Sequence, residues 1–88
     1  MEQTNLDREF DEAVERINVF TEPFPADLLL RLYAYYKKAT NNYERPNSSK
    51  PIINAFKTNA LFQVKNVSPD EAKRIYIDLV NNYFLYRK

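Results

Sequence analysis

The 88-residue chain contains no cysteine, no histidine, no glycine and no tryptophan. Without cysteine there is no disulfide and no thiol chemistry, and composition says nothing of a redox compartment. Without histidine the commonest general base and metal ligand is missing. Without glycine no loop can cradle a phosphate in the P-loop or dinucleotide-binding manner. No apolar run approaches the ~20 residues that cross a bilayer as a helix, so stable membrane insertion is not expected. The polar opening Met1-Glu2-Gln3-Thr4-Asn5-Leu6 does not read as a signal peptide. A soluble, cytoplasmic protein is the expectation.

What is present describes a globular chain. Hydrophobic residues make up 44% and charged residues 28%, enough for a single domain over residues 1–88 with one small core. The net charge of +1 hides an asymmetry. Residues 1–30 hold two basic and eight acidic side chains, whereas 31–65 hold seven basic and one acidic. A charged run is usually a solvated face. A basic third confined to the middle suits an anionic ligand of limited extent better than nucleic acid, whose binders carry a large overall excess.

The chain is organised around the stretch 28–40, LLLRLYAYYKKAT. At 100° per residue it reads as a helix with a wide apolar arc. Leu28, Leu32, Tyr35, Tyr36 and Ala39 fall near the centre of that arc. Leu29, Thr40 and Tyr33 lie toward one edge with Lys37 just beyond, and Arg31 and Lys38 occupy the opposite, wet side. One flank thus gathers phenols, a hydroxyl and an ammonium. A buried stripe does not need them, but an anion carrying an aromatic ring does.

Taken in order, the pattern predicts four helices. Thr4 is placed to cap a first helix in which Leu6, Phe10, Ala13, Val14 and Ile17 share a face, ending near Phe20. Pro23-Phe24-Pro25 ends it, and Pro25 suits the first turn of a second helix over 25–41. The stretch 41–51, NNYERPNSSKP, is turn-rich and the longest connection. A third helix over 52–65 places Ile53, Phe56, Ala60 and Val64 on one face with Lys57 at its margin. Ser68-Pro69-Asp70-Glu71 is a strong start signal, with serine as cap, proline in the first turn and acids following. The fourth helix repeats Ala72, Ile75, Tyr76, Leu79, Val80 and Tyr83, and ends near Arg87-Lys88, where a helix dipole favours cations. No strand alternation appears, so the fold class is all-α, a helical bundle.

Catalysis has little to build on. Asp11, Glu12 and Glu15 are the densest carboxylates but face solvent without a partner motif, and no set of ligands suggests a metal. The chain is expected not to be an enzyme.

Several segments together carry a resemblance. Tyr33-Ala34-Tyr35-Tyr36-Lys37-Lys38-Ala39-Thr40 resembles the Y-x-x-Y-K-Q-A-T motif of the acyl-CoA-binding protein family. Glu9-Phe10-Asp11-Glu12-Ala13 resembles the opening of that family's first helix, and Pro25-Ala26-Asp27 its first loop. Glu44-Arg45-Pro46 resembles its T-E-R-P segment, and the run from Ser68 to Ile77 the start of its fourth helix. The match covers nearly the whole chain in order. It implies a four-helix bundle of up-down-down-up topology that binds and carries medium- to long-chain acyl-CoA as a monomer, with no cofactor and no nucleic acid. By position, it implies Tyr36 as the platform for adenine and Lys37 and Lys57 as partners of the ribose 3′-phosphate. Tyr33 and Tyr76 would close around the phosphates and the start of the acyl chain, with Leu29 and Leu30 as apolar lining.

The chain also departs from the family. The K-W-D-A-W of its third helix is here Lys57-Thr58-Asn59-Ala60-Leu61, so both indoles are gone, and Phe56 and Phe62 are the nearest rings to refill their volume. Asn18 stands where the family has a lysine. Two other readings therefore stay open, a helical scaffold or protein-interaction module without ligand, and a small nucleic-acid binder using the basic middle.

Overall fold

The computed structural model describes residues 5–40 and 51–86. Four helices make up the described chain: α1 (Asn5–Val19), α2 (Ala26–Ala39), α3 (Pro51–Gln63) and α4 (Pro69–Tyr86), with no strand among the described residues. The expected cap Thr4, the connection over 41–50 with Glu44-Arg45-Pro46, the side chains of Ile52 and Ile53, and the terminal Arg87-Lys88 lie outside the described residues.

Each helix start has a local cause. Pro25 holds φ −55° and ψ 143° ahead of α2, and its carbonyl accepts the Leu29 N–H at 3.0 Å. The ring fixes φ and removes a donor that would have no partner there. At α4 the Ser68 hydroxyl oxygen accepts the Glu71 N–H at 3.1 Å, and the Ser68 carbonyl accepts the Ala72 N–H at 2.9 Å. That satisfies donors a helix start otherwise leaves exposed.

Helix ends are closed without glycine. Glycine is the usual residue after a helix because it tolerates positive φ. At the end of α2, Thr40 instead keeps φ −96° and ψ 5°, and both its N–H (3.0 Å) and its hydroxyl (2.8 Å) donate to the Tyr36 carbonyl. The end of α3 tightens into i→i+3 turns, Val64 N–H to Leu61 and Lys65 N–H to Phe62, each 3.2 Å. Lys38 then reaches from α2 to donate to the Lys65 carbonyl at 3.0 Å. Lys38 was expected on the wet side; it is half-buried and tethers α3.

Contacts at the helix ends set the directions. Asp7 pairs with Lys73 near the starts of α1 and α4, and Arg16 donates to Asn81 Oδ1 at 2.8 Å further along both. Those two helices run parallel. Phe24 before α2 meets Tyr83 late in α4 at 5.0 Å between centroids, while Tyr36 late in α2 meets Tyr76 early in α4 at 6.4 Å. Hence α2 runs antiparallel to α4. Lys57 lies over Tyr33 and Lys65 meets Lys38, so α3 follows α2 in direction. The topology is up-down-down-up.

The core collects on α4, where Ala72, Tyr76 and Val80 meet Phe10 and Ala13 of α1 and Leu32 and Ala39 of α2. A second aromatic group, Phe20, Phe24, Tyr83 and Phe84, pins the proline-rich connection to the end of α4. Helix α3 packs on α2 alone among the described elements. Its buried strip is correspondingly narrow: Ala60 and Leu61 are half-buried, Val64 just past its end is buried, and Phe56, expected on the inner face, is 55% exposed. The sequence pattern also passed over Ala34, 1% exposed, a small residue on the side of α2 toward α3. Ser68→Ala removes the α4 cap and is expected to lower stability by about 1 kcal/mol and the melting temperature by roughly 4–8 °C, checked by urea and thermal denaturation.

Candidate functional site

The backbones of α1 and α2 both pack on α4 but not on each other among the described residues. Between them lies a groove of about 380 Å³, within the size range of small-ligand pockets. One wall is Val14, Ile17 and Asn18 of α1, the other Leu29, Leu32, Tyr33 and Tyr36 of α2, and Tyr76 of α4 is the floor. The two walls are linked by rings. Phe10 stacks on Tyr36 at 6.1 Å and 23°, and meets Tyr76 edge-on at 5.1 Å.

Tyr36 was placed by helical periodicity near the middle of the apolar arc, yet it is 40% exposed because α1 stands off from α2 at this level. Its ring has the stacked Phe10 behind it and open surface in front. Leu29, at 46% exposure, extends the same wall.

Tyr33 gathers the charge. The Lys37 ammonium lies 5.6 Å and the Lys57 ammonium 5.0 Å from the centroid of its ring, within cation–π range. Two ammonium groups on one ring repel, and neither forms an ion pair among the described residues. An anion at this point would neutralise both. The Tyr33 hydroxyl is buried and has no hydrogen-bond partner among the described residues, and burial raises its pKa. A buried donor without a partner costs free energy that a ligand acceptor would recover.

The structure therefore brings together six of the seven residues the sequence singled out. Leu29, Tyr33, Tyr36 and Tyr76 line one groove, with Lys37 and Lys57 at the Tyr33 end. Leu30 turns the other way, into a larger cavity of about 560 Å³ between α2, α3 and α4. Asp27 and Arg31 of that cavity stand one helical turn apart with opposite charges, so it offers little net attraction to an anion. Sequence reasoning missed Val14, Ile17 and Asn18 as groove wall. Val14 and Ile17 had been read as ordinary core positions, and their half-burial follows from the gap between α1 and α2. The absent indoles are not refilled by neighbouring rings: Thr58, Phe56 and Phe62 are exposed and Leu61 half-buried.

Chemically, the arrangement offers a flat ring open on one side, two cations over a buried phenol, and an apolar wall. No group of three or more histidine, cysteine or acidic side chains among the described residues could hold a metal.

A family model and a solved structure each match most of the chain. The family model described as "Acyl CoA binding protein" matches residues 7–80. Among solved structures, the crystal structure of Oryza sativa Acyl-CoA-Binding Protein 2 is similar, with a TM-score of 0.77 and 27% identity over 92% of this chain and 92% of that one. No curated protein matches significantly in sequence.

Tyr76 supplies a pH prediction. Burial, with the neighbouring Tyr36 phenol adding to it, pushes its pKa up to about 12. The folded chain thus holds this proton where the unfolded chain, at about 10, has lost it. The associated stability is whole below pH ~10 and is lost as pH rises toward about 12. Thermal melts across that window should fall more steeply for the wild type than for Tyr76→Phe, which has no proton to lose.

Proposed function

The chain belongs to the acyl-CoA-binding protein family, a family of non-enzymatic acyl-CoA binders, and from that premise we infer that residues 1–88 form a single domain that binds and carries medium- to long-chain acyl-CoA in the cytoplasm as a monomer. The observation that carries the reading is the Lys37–Tyr33–Lys57 group beside the half-open Tyr36 ring. CoA presents a purine face, phosphates and a thioester-linked alkyl chain, and each has a counterpart here.

Adenine stacks on the open face of Tyr36, above the floor made by Tyr76. Such stacking is worth about 1–3 kcal/mol per base. Lys37 and Lys57 take the 3′-phosphate as paired point charges, and the Tyr33 hydroxyl donates to a phosphate or to the thioester region. The acyl chain leaves along Leu29, against Val14 and Ile17 of the facing wall. With both family indoles replaced, burial of the chain is incomplete, and each methylene contributes somewhat less than about 0.8 kcal/mol. The unfilled indole volume also favours the second reading, a scaffold that kept the bundle and lost the ligand.

Native mass spectrometry of freshly purified protein separates the two, since a carrier retains acyl-CoA and a scaffold has nothing bound. In calorimetry, Tyr36→Ala should weaken binding by about 1–3 kcal/mol with only a modest fall in melting temperature, because the ring is 40% exposed and makes its packing contacts at the groove edge of the core. Unchanged affinity with a collapsed melt would make Tyr36 a core residue. Lys37→Ala and Lys57→Ala should each weaken CoA binding more than binding of its 3′-dephospho form. Palmitoyl-CoA should bind more tightly than free CoA, and equal affinities would leave only a nucleotide site.

A further inference from the structure

The cavity on the other side of α2, between α2, α3 and α4, has a volume of about 560 Å³ and is larger than the groove. The two share no lining residue. Small side chains open the space: Ala34 of α2 and Ala60 of α3 both line it, and methyl groups leave volume that larger side chains would fill. Ile75 and Leu79, one turn apart on α4, add an apolar floor.

The rest of the lining is polar. Asp27 and Arg31, one turn apart on α2, and Asn59 and Gln63, one turn apart on α3, all line the cavity and are exposed. An acid four residues ahead of an arginine on a helix commonly pairs with it. Here none of the four makes an ion pair or a side-chain hydrogen bond among the described residues. A carboxylate and a guanidinium are therefore both open to the same space, with no net charge between them. A lone anion or cation gains little there, because attraction to one group is offset by repulsion from the other. A molecule that carries both charges gains from each.

Spacing narrows the class further. Side chains four apart on a helix leave it about 5–6 Å from each other, so the ligand's two charges must be close together. The ammonium and carboxylate of an α-amino acid share one carbon and meet that condition. A zwitterion with widely separated ends would reach one group alone. The apolar floor then asks for a large apolar side chain. We propose that this cavity is a second binding site, for free α-amino acids with large apolar side chains. The Asp27 carboxylate accepts from the ammonium, and the Arg31 guanidinium donates to the carboxylate through two parallel N–H groups. Asn59 and Gln63 supply amide partners, and the side chain lies against Ala34, Ala60, Ile75 and Leu79. The inference does not depend on what the groove binds.

The test is calorimetric titration of the full chain with L-phenylalanine, with 3-phenylpropionate, which lacks the ammonium, and with phenethylamine, which lacks the carboxylate. Saturable binding of L-phenylalanine is expected, with each analogue at least roughly tenfold weaker. Asp27→Asn and Arg31→Gln should each weaken L-phenylalanine by a similar factor. Both should keep their helical circular dichroism, because the altered side chains are exposed. Absence of saturable L-phenylalanine binding overturns the proposal. So does equal binding of either analogue, which would leave a merely apolar cavity, or unchanged binding by both folded variants. Displacement of L-phenylalanine by palmitoyl-CoA would place the amino acid in the groove and overturn the second site.

Discussion

The Tyr76 ring, 3% exposed, holds the architecture together. It sits edge-on to Phe10 of α1 and beside Tyr36 of α2, so both helices are anchored to α4 by aromatic contacts at one level. A ring of this width between them keeps the α1 and α2 backbones apart. The groove is the consequence. Had α4 carried a small residue at that position, α1 and α2 would close on each other and the tyrosine wall would become core. The floor of the site and the centre of the bundle are therefore the same side chain.

Charge is divided along the same lines. The carboxylates concentrate on α1, the outermost helix on one side, whereas α2 carries three cations against one carboxylate and α3 one cation and no carboxylate. Within the cationic half, Lys37 and Lys57 converge on one ring from two helices, whereas Lys38 is drawn away to close the end of α3. Adjacent lysines thus have opposite duties, one facing the groove and one structural. The direction in which each leaves the helix decides this, not its chemistry. Two cations thus meet over the ring of Tyr33, whose buried hydroxyl has no hydrogen-bond partner among the described residues.

The chain manages its helix ends without glycine, and that shapes α3. A threonine that donates twice to one carbonyl, a tightened last turn and a borrowed lysine replace the usual left-handed residue. Consecutive helices α2 and α3 run in the same direction, which requires the chain to return about one helix length, roughly 20 Å for fourteen residues. The long turn-rich stretch between them is what permits this. A two-residue connection would have forced an antiparallel pair and moved Lys57 away from Tyr33.

Much was legible in the sequence because it depends on local rules. The four helices, their proline and serine starts, the core faces of α1 and α4, and the segregation of charge all follow from periodicity and capping. The Y-x-x-Y-K spacing placed Tyr33, Tyr36 and Lys37 on one flank, since residues three and four apart share a helix face. What periodicity could not supply is distance between helices. It assigned Tyr36 to the centre of a buried arc and Phe56 to an inner face, and both are exposed because a neighbouring helix stands off or is absent there. The family resemblance likewise grouped Leu29 with Leu30, which a 100° step sends into different cavities. The sequence by itself determined which residues ride together on each helix, a matter of one chain's geometry. Only the tertiary structure decided that Lys57 of α3 and Lys37 of α2 meet over Tyr33, and that Val14 and Ile17 face a groove, because those depend on how far each helix is held from the next.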